Sequence, residues 1–137
     1  MTKKFLNWRD VEEGVERLAL NIEKSGLEFS GVYGLPRGGL IPAVMLSHRL
    51  SIPFLGEDTD DSGNILIVDD ICDSGETLDV YREFENIQTV TLHYKTTAIY
   101  EPNFWWKIAS QGDWIVYPWE RRDSEAIQDY KKPNNAT

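Results

Sequence analysis

Apolar positions change their period several times along the chain, and the changes mark its elements. Val11, Val15, Leu18 and Ile22 recur at spacings of four, three and four, one stripe of a helix over residues 10–24. Asp10 followed by Glu13 resembles a capping box, and Gly26 is a stop signal. Residues 31–35 read as a short strand running into the turn Pro36-Arg37-Gly38-Gly39. Ile41, Val44, Met45 and His48 then give residues 40–50 a helical period. Residues 52–55 suit a short edge strand, because Pro53 has no N–H to add to a ladder. Residues 56–64, GEDTDDSGN, are polar and acidic and predict a loop.

Ile65-Leu66-Ile67-Val68 is a continuous apolar run ending in Asp69-Asp70, the pattern of a strand covered on both faces. A turn over residues 72–77 follows, then a helix with Leu78, Tyr81 and Phe84 on one side. Residues 89–94 alternate Val90, Leu92 and Tyr94 against Thr91 and His93, a strand. The last third is rich in aromatic residues, and the tail KKPNNAT has the composition of a frayed end. The order of strands and helices predicts an α/β fold, a mainly parallel twisted sheet flanked by helices. Ligands in such sheets sit beyond the carboxyl ends of the strands.

Composition narrows the class. The 137 residues suffice for one domain, and 41% hydrophobic content supports a core. The net charge of −9 argues against a nucleic-acid partner, whose backbone calls for a basic footprint. A single cysteine, Cys72, allows no internal disulfide, and two histidines make a structural zinc site a poor expectation. No stretch has the length of a membrane span and the N-terminus lacks an apolar signal core, so a cytoplasmic protein with no membrane partner is expected.

The chemistry concentrates after the buried strand. Asp69 and Asp70 stand at its carboxyl end, and Asp73-Ser74-Gly75-Glu76-Thr77 form a small-residue turn into a helix. Such a turn can aim backbone N–H groups and two hydroxyls at one anion, with Gly75 permitting close approach. A phosphate held beside two carboxylates that accept from vicinal hydroxyls describes a phosphorylated sugar. The plainer reading is a strand–turn–helix in which Asp and Ser serve as caps.

Residues 65–78 resemble the signature of the type I phosphoribosyltransferases, which bind 5-phosphoribosyl 1-pyrophosphate (PRPP). The resemblance implies that Asp69 and Asp70 meet the ribose hydroxyls, directly or through water on Mg²⁺. It implies that Asp73, Ser74, Gly75, Glu76 and Thr77 cradle the 5′-phosphate, and that Asp73 is the catalytic proton acceptor near the base. Leu35-Pro36-Arg37-Gly38-Gly39-Leu40 resembles the pyrophosphate loop of the purine branch, with Pro36, Arg37 and Gly38 as the binding residues and a cis Pro36–Arg37 peptide. Residues 112–120, GDWIVYPWE, are similar to the hood segment of bacterial xanthine–guanine phosphoribosyltransferases. By that likeness Trp114 stacks on a purine, the Ile115 backbone reads its edge, and Lys95 meets its 6-oxo group. Val116 stands where that group commonly has a polar residue, and Glu120 keeps an acid near the purine edge.

The resemblance thus implies one phosphoribosyltransferase domain over residues 1–137, with a core about 25–95. A small C-terminal hood spans about 96–130, joined by the N-terminal helix. It further implies Mg²⁺ as cofactor, PRPP and a purine base as small-molecule partners, and a homo-oligomer. One departure is the loop over the sugar, here nine residues, 56–64, and acidic. It is a poor lid, so either a neighbouring subunit covers the site or, the favoured expectation, PRPP stays open to water and some is hydrolysed. Two other classes share parts of the pattern. A non-catalytic PRPP- or nucleotide-sensing regulator has the same fold, but need not keep Arg37, Asp73, Lys95 and Trp114 together. A receiver-like phosphoacceptor also ends a strand in Asp-Asp, yet carries acids where this chain has Pro-Arg-Gly-Gly.

Overall fold

The chain opens with a strand that its periodicity does not announce, Thr2–Phe5 (β1), exposed along its whole length. The computed structural model describes residues 2–58 and 63–121. The helix that follows, Trp8–Lys24 (α1), starts two residues earlier than the apolar stripe predicts, because Asn7 is its cap. The Asp10 N–H donates to Asn7 Oδ1 at 2.8 Å and the Asn7 N–H returns a bond to Asp10 Oδ2 at 2.9 Å. Asp10 is therefore the third helical residue of the capping box, and Glu13 has no part in it.

Next come Gly31–Gly34 (β2), Leu40–Leu50 (α2), Ile65–Cys72 (β3), Glu76–Asp79 (α3) and Ile87–Tyr94 (β4), then Phe104–Ile108 (β5) and Asp113–Val116 (β6). The strands β2, β3, β4 and β5 lie side by side in that order, all parallel. The expected edge strand at residues 52–55 is a single parallel bridge of Phe54 to Val32, outside β2. β1 pairs in parallel with β6 in a separate two-stranded sheet, from Thr2 opposite Asp113 to Phe5 opposite Val116. Parallel strands joined by helices on both faces are the α/β arrangement that the element order predicted.

Alternation along β3 divides the core. Leu66 and Val68 face α1 and α2, joining Val11, Val15, Leu18, Ile22, Ala43 and Leu46. Ile65 and Ile67 face the other way, toward Leu78, Tyr81 and Tyr94. Three sequence expectations shift here. In α2, apolar nearly all round, the buried residues are Pro42, Ala43 and Leu46, while Val44 is 42% exposed. The choice follows from β2, since a side chain on Gly34 would lie 2.8 Å from the Ala43 methyl. Phe84 is exposed because α3 stops at Asp79 and the chain turns away. Tyr94 leaves the face of Val90 and Leu92 and packs on Trp105 at the end of its strand.

The hood reading also takes a particular form. α1 packs on the four-stranded sheet and α2, and its Trp8 ring meets Trp119 with centroids 5.9 Å apart. It therefore touches core and C-terminal segment alike, while β1 makes the strand contact with β6. Residues 122–130 of the expected hood, the tail and loop residues 59–62 lie outside the described residues. Among the described residues no helix is long and apolar enough to cross a membrane.

Two core positions yield predictions. Gly14 faces β5, where a Cβ would lie 2.6 Å from Trp106 Cε3 and 2.9 Å from Leu92 Cδ2. Gly14→Ala gains about 1 kcal/mol of helix propensity but forces the indole aside at about 1–3 kcal/mol. The variant is expected to melt below the parent in a thermal scan; a higher melting point would mean that the ring moves freely.

His93 is 4% exposed, and burial, with Lys107 nearby, pushes its pKa down from 6.5 to about 4. The folded protein thus keeps the ring neutral where the unfolded chain protonates it. This contribution to stability is present above pH 6.5 and is lost as pH falls toward 4, with a slope of at most about 1.4 kcal/mol per pH unit. Urea titrations of the parent and His93→Gln across that window should show the shallower loss in the variant. Equal slopes would mean that the ring charges as readily folded as unfolded.

Candidate active site

Connections diverge between β2 and β3. The chain leaves β2 through α2 on one face toward the bridge at Phe54, and leaves β3 through α3 on the other face toward β4. Such a switch point opens a crevice at the carboxyl ends of the two strands, where α/β sheets bind ligands. Residues 35–39 and 69–72 form its two sides.

The first side is held by backbone. The Leu35 N–H donates to the Val68 carbonyl at 2.9 Å, and the Gly39 N–H to the Leu35 carbonyl at 2.8 Å. The Pro36–Arg37 peptide is cis, as the family resemblance implied. Gly38 lies against the opposite side so closely that a Cβ there would sit 2.8 Å from Asp70 Oδ1 and nearer still to the rest of the carboxylate. A side chain at position 38 would displace the Asp70 carboxylate from its place against the loop.

On the second side β3 carries both aspartates, as expected, and runs on two residues further to Cys72. The Asp70 N–H donates to Asp69 Oδ1 at 2.9 Å, and the Ile71 N–H to Asp70 Oδ1 at 2.7 Å. Each carboxylate is thereby oriented by the peptide that follows it. Cys72, next in line, is buried, and its thiol is pushed up to about 12 by desolvation and by Asp69 and Asp73, so it stays protonated and unreactive.

The turn after β3 is braced from outside. Gly75 adopts φ +89°, and a Cβ there would sit 2.8 Å from the Tyr100 nitrogen and 3.0 Å from that of Ile99. The Ile99 N–H donates to the Ser74 carbonyl at 2.9 Å. Arg82 holds this bracing loop by donating to the Ile99 carbonyl at 2.9 Å and lying over the Tyr100 ring. Inside the turn the Glu76 N–H donates to Ser74 Oγ at 3.2 Å. Thr77 Oγ1 is buried with no hydrogen-bond partner among the described residues, the donor a bound anion would use.

β4 brings Lys95 to the same end of the sheet. Its N–H donates to the Cys72 carbonyl at 3.0 Å, and its ammonium lies 3.5 Å from Asp73 Oδ1. The lysine side chain is 11% exposed and Asp73 44% exposed, so the carboxylate is the accessible member. Asp113, at the start of β6, feels Lys95 as well. Its carboxyl is held below the usual range chiefly by Lys4, 3.2 Å away on β1. Trp114 and Ile115 follow on β6, both half-buried, opposite Lys3 and Lys4.

Glu120 accepts from the Tyr117 N–H at 3.0 Å. Its carboxyl is pushed up by burial and by Asp70 and pulled back by that N–H and by Arg37. Glu120, Asp70 and Arg37 therefore share one electrostatic neighbourhood, and the acid expected at the purine edge faces the crevice charges. Sequence reading also passed over Tyr117 and His93. The Tyr117 hydroxyl donates to the Asp70 carbonyl at 3.1 Å and meets His93 Nδ1 at 2.9 Å. A histidine inside an apolar strand was the available signal, since such a ring needs a polar partner.

No family model matches the sequence. A xanthine-guanine phosphoribosyltransferase of Idiomarina loihiensis is 24% identical, over 85% of this chain and 86% of its own length. The solved xanthine-guanine-hypoxanthine phosphoribosyltransferase of Helicobacter pylori superposes with a TM-score of 0.73 at 21% identity, covering 86% of this chain and 93% of that one. The purine phosphoribosyltransferase of Pyrococcus horikoshii superposes with a TM-score of 0.72 at 30% identity, covering 93% of this chain and 99% of that one. With the loop, the acidic pair and the braced turn meeting at one switch point, the chain belongs to the purine branch of the type I phosphoribosyltransferases.

Proposed function

We propose that the protein transfers the 5-phosphoribosyl group of PRPP to a 6-oxopurine (guanine, xanthine or hypoxanthine) and releases pyrophosphate. The observation that carries this reading is the contact of Gly38 with the Asp70 carboxylate, which sets an anion loop directly beside a hydroxyl-accepting pair. PRPP has the same juxtaposition, a pyrophosphate one bond from a ribose diol. Asp69 and Asp70 accept from the ribose hydroxyls, residues 73–77 take the 5′-phosphate, and Arg37 with the Gly38 backbone takes the pyrophosphate.

The bond from the anomeric carbon to pyrophosphate breaks, the bond to a purine nitrogen forms, and the proton on that nitrogen passes to Asp73. The half-exposed Asp73 carboxylate is available to the base, while Lys95 beside it donates to the 6-oxo group and balances charge that develops there. Trp114 stacks on the ring and the Ile115 backbone meets its edge. Mg²⁺ fits this donor set. Among the described residues no cluster of three ligating side chains exists, and Mg²⁺ commonly uses one or two carboxylates, here Asp69 and Asp70, plus substrate oxygens. When bound it supplies charge neutralisation for the departing pyrophosphate.

The test incubates the protein with PRPP, Mg²⁺ and each of guanine, hypoxanthine, xanthine and adenine. Nucleotide is expected from the 6-oxopurines, because an ammonium donates and cannot accept from a 6-amino group. Lys95→Ala should narrow the gap to adenine, and efficient use of adenine by the parent would refute the base assignment. PRPP binding without nucleotide from any base would favour a sensing regulator instead. Asp70→Asn should weaken PRPP binding by about 1.5–3 kcal/mol while the fold survives, the scale of a lost charge-assisted hydrogen bond. Unchanged calorimetric affinity would remove Asp70 from the sugar site.

A further inference from the structure

Tyr117 is 1% exposed, and its ring lies flat on Trp119, with centroids 5.0 Å apart and planes 5° from parallel. This stack leaves the hydroxyl little freedom. It donates to the Asp70 carbonyl at 3.1 Å, so its one proton is committed, and its contact with His93 Nδ1 at 2.9 Å is one in which it accepts. The buried neutral His93 thus carries its proton on Nδ1, and the chain runs His93 to Tyr117 to Asp70 in a single direction. The gripped carbonyl belongs to the Asp70–Ile71 peptide, whose N–H donates to Asp70 Oδ1 at 2.7 Å. One peptide is therefore held at its oxygen by Tyr117 and holds the Asp70 carboxylate at its nitrogen. A turn of that peptide plane would carry the carboxylate with it, away from Gly38.

We propose that Tyr117 is a positioning residue for PRPP, its hydroxyl locking the Asp70–Ile71 peptide so that the Asp70 carboxylate stays aimed at the sugar. The inference rests on the reading of Asp70 as a ribose contact and adds a residue from the far end of the chain to it. Trp119 supplies the flat support and His93 the hydrogen bond that orients the hydroxyl. Tyr117 and His93 are buried, and the group acts through one backbone unit.

Tyr117→Phe keeps the stack and removes only the hydroxyl. In steady-state transfer assays its KM for PRPP should rise tenfold or more, with kcat reduced less than fivefold and KM for the purine unchanged within twofold. Val15→Ala, a core truncation remote from the crevice, serves as the stability control and should lower the melting point while leaving KM for PRPP unchanged. If Tyr117→Phe fails to fold, His93→Phe, which removes the orienting bond, carries the same expected rise. A Tyr117→Phe enzyme with the parent's KM for PRPP overturns the inference while leaving the proposed function standing. So does an equal loss in kcat and both KM values, the mark of general damage. A parent protein that neither binds nor uses PRPP overturns the functional reading, and this inference with it.

Discussion

Two strands that are neighbours in the sheet but are followed by helices on opposite faces cannot have their carboxyl ends bridged by a local connection. β2 and β3 stand in that relation, with Gly34 opposite Val68 as their last paired residues. The anion loop and the acidic pair meet at the gap this leaves. The loop after β2 is pinned back to β3 by the Leu35-to-Val68 hydrogen bond, and this brings Gly38 against Asp70. A larger residue at 38 would displace the Asp70 carboxylate from the loop. The contact thus ties packing and function at one point.

Much of this was legible in the residues, because it is local. A buried parallel strand ending in Asp-Asp, a glycine-rich turn before a helix and a small-residue turn after the acids each follow from short-range chemistry. What escaped the sequence reading was long-range. The burial of Pro42, Ala43 and Leu46 in place of Val44 depends on how closely Gly34 lets α2 approach β2. The loop over residues 98–100 packs on Gly75, which opens the short α3, a contact between segments more than twenty residues apart. β1 could not be foreseen from its own pattern, since its two lysines are exposed and its partner lies near the other end of the chain.

The site residues divide along the same line. Asp69, Asp70, Gly38, Asp73 and Lys95 were candidates by motif and placement, and the structure brings them to one end of the sheet. Tyr117 and His93 carry no motif. Their role follows from a hydrogen bond joining residues forty-seven apart in sequence, with a donor inventory that leaves the hydroxyl only one way to point.

The pairing of β1 with β6, the first and last strands among the described residues, joins distant parts of the chain. Thr2 meets Asp113, a separation of 113 − 2 = 111 residues, so closing this contact has a high loop-closure cost. During synthesis β1 has no partner strand until β6 has been made, whereas β2, α2, β3 and β4 can already associate. The half of the crevice built from Gly38 and Asp70 uses contacts between segments closer together in sequence. Tyr117, which follows β6, reaches Asp70 across the chain, so the hydrogen bond at the Asp70 carbonyl can form only after both segments have been made.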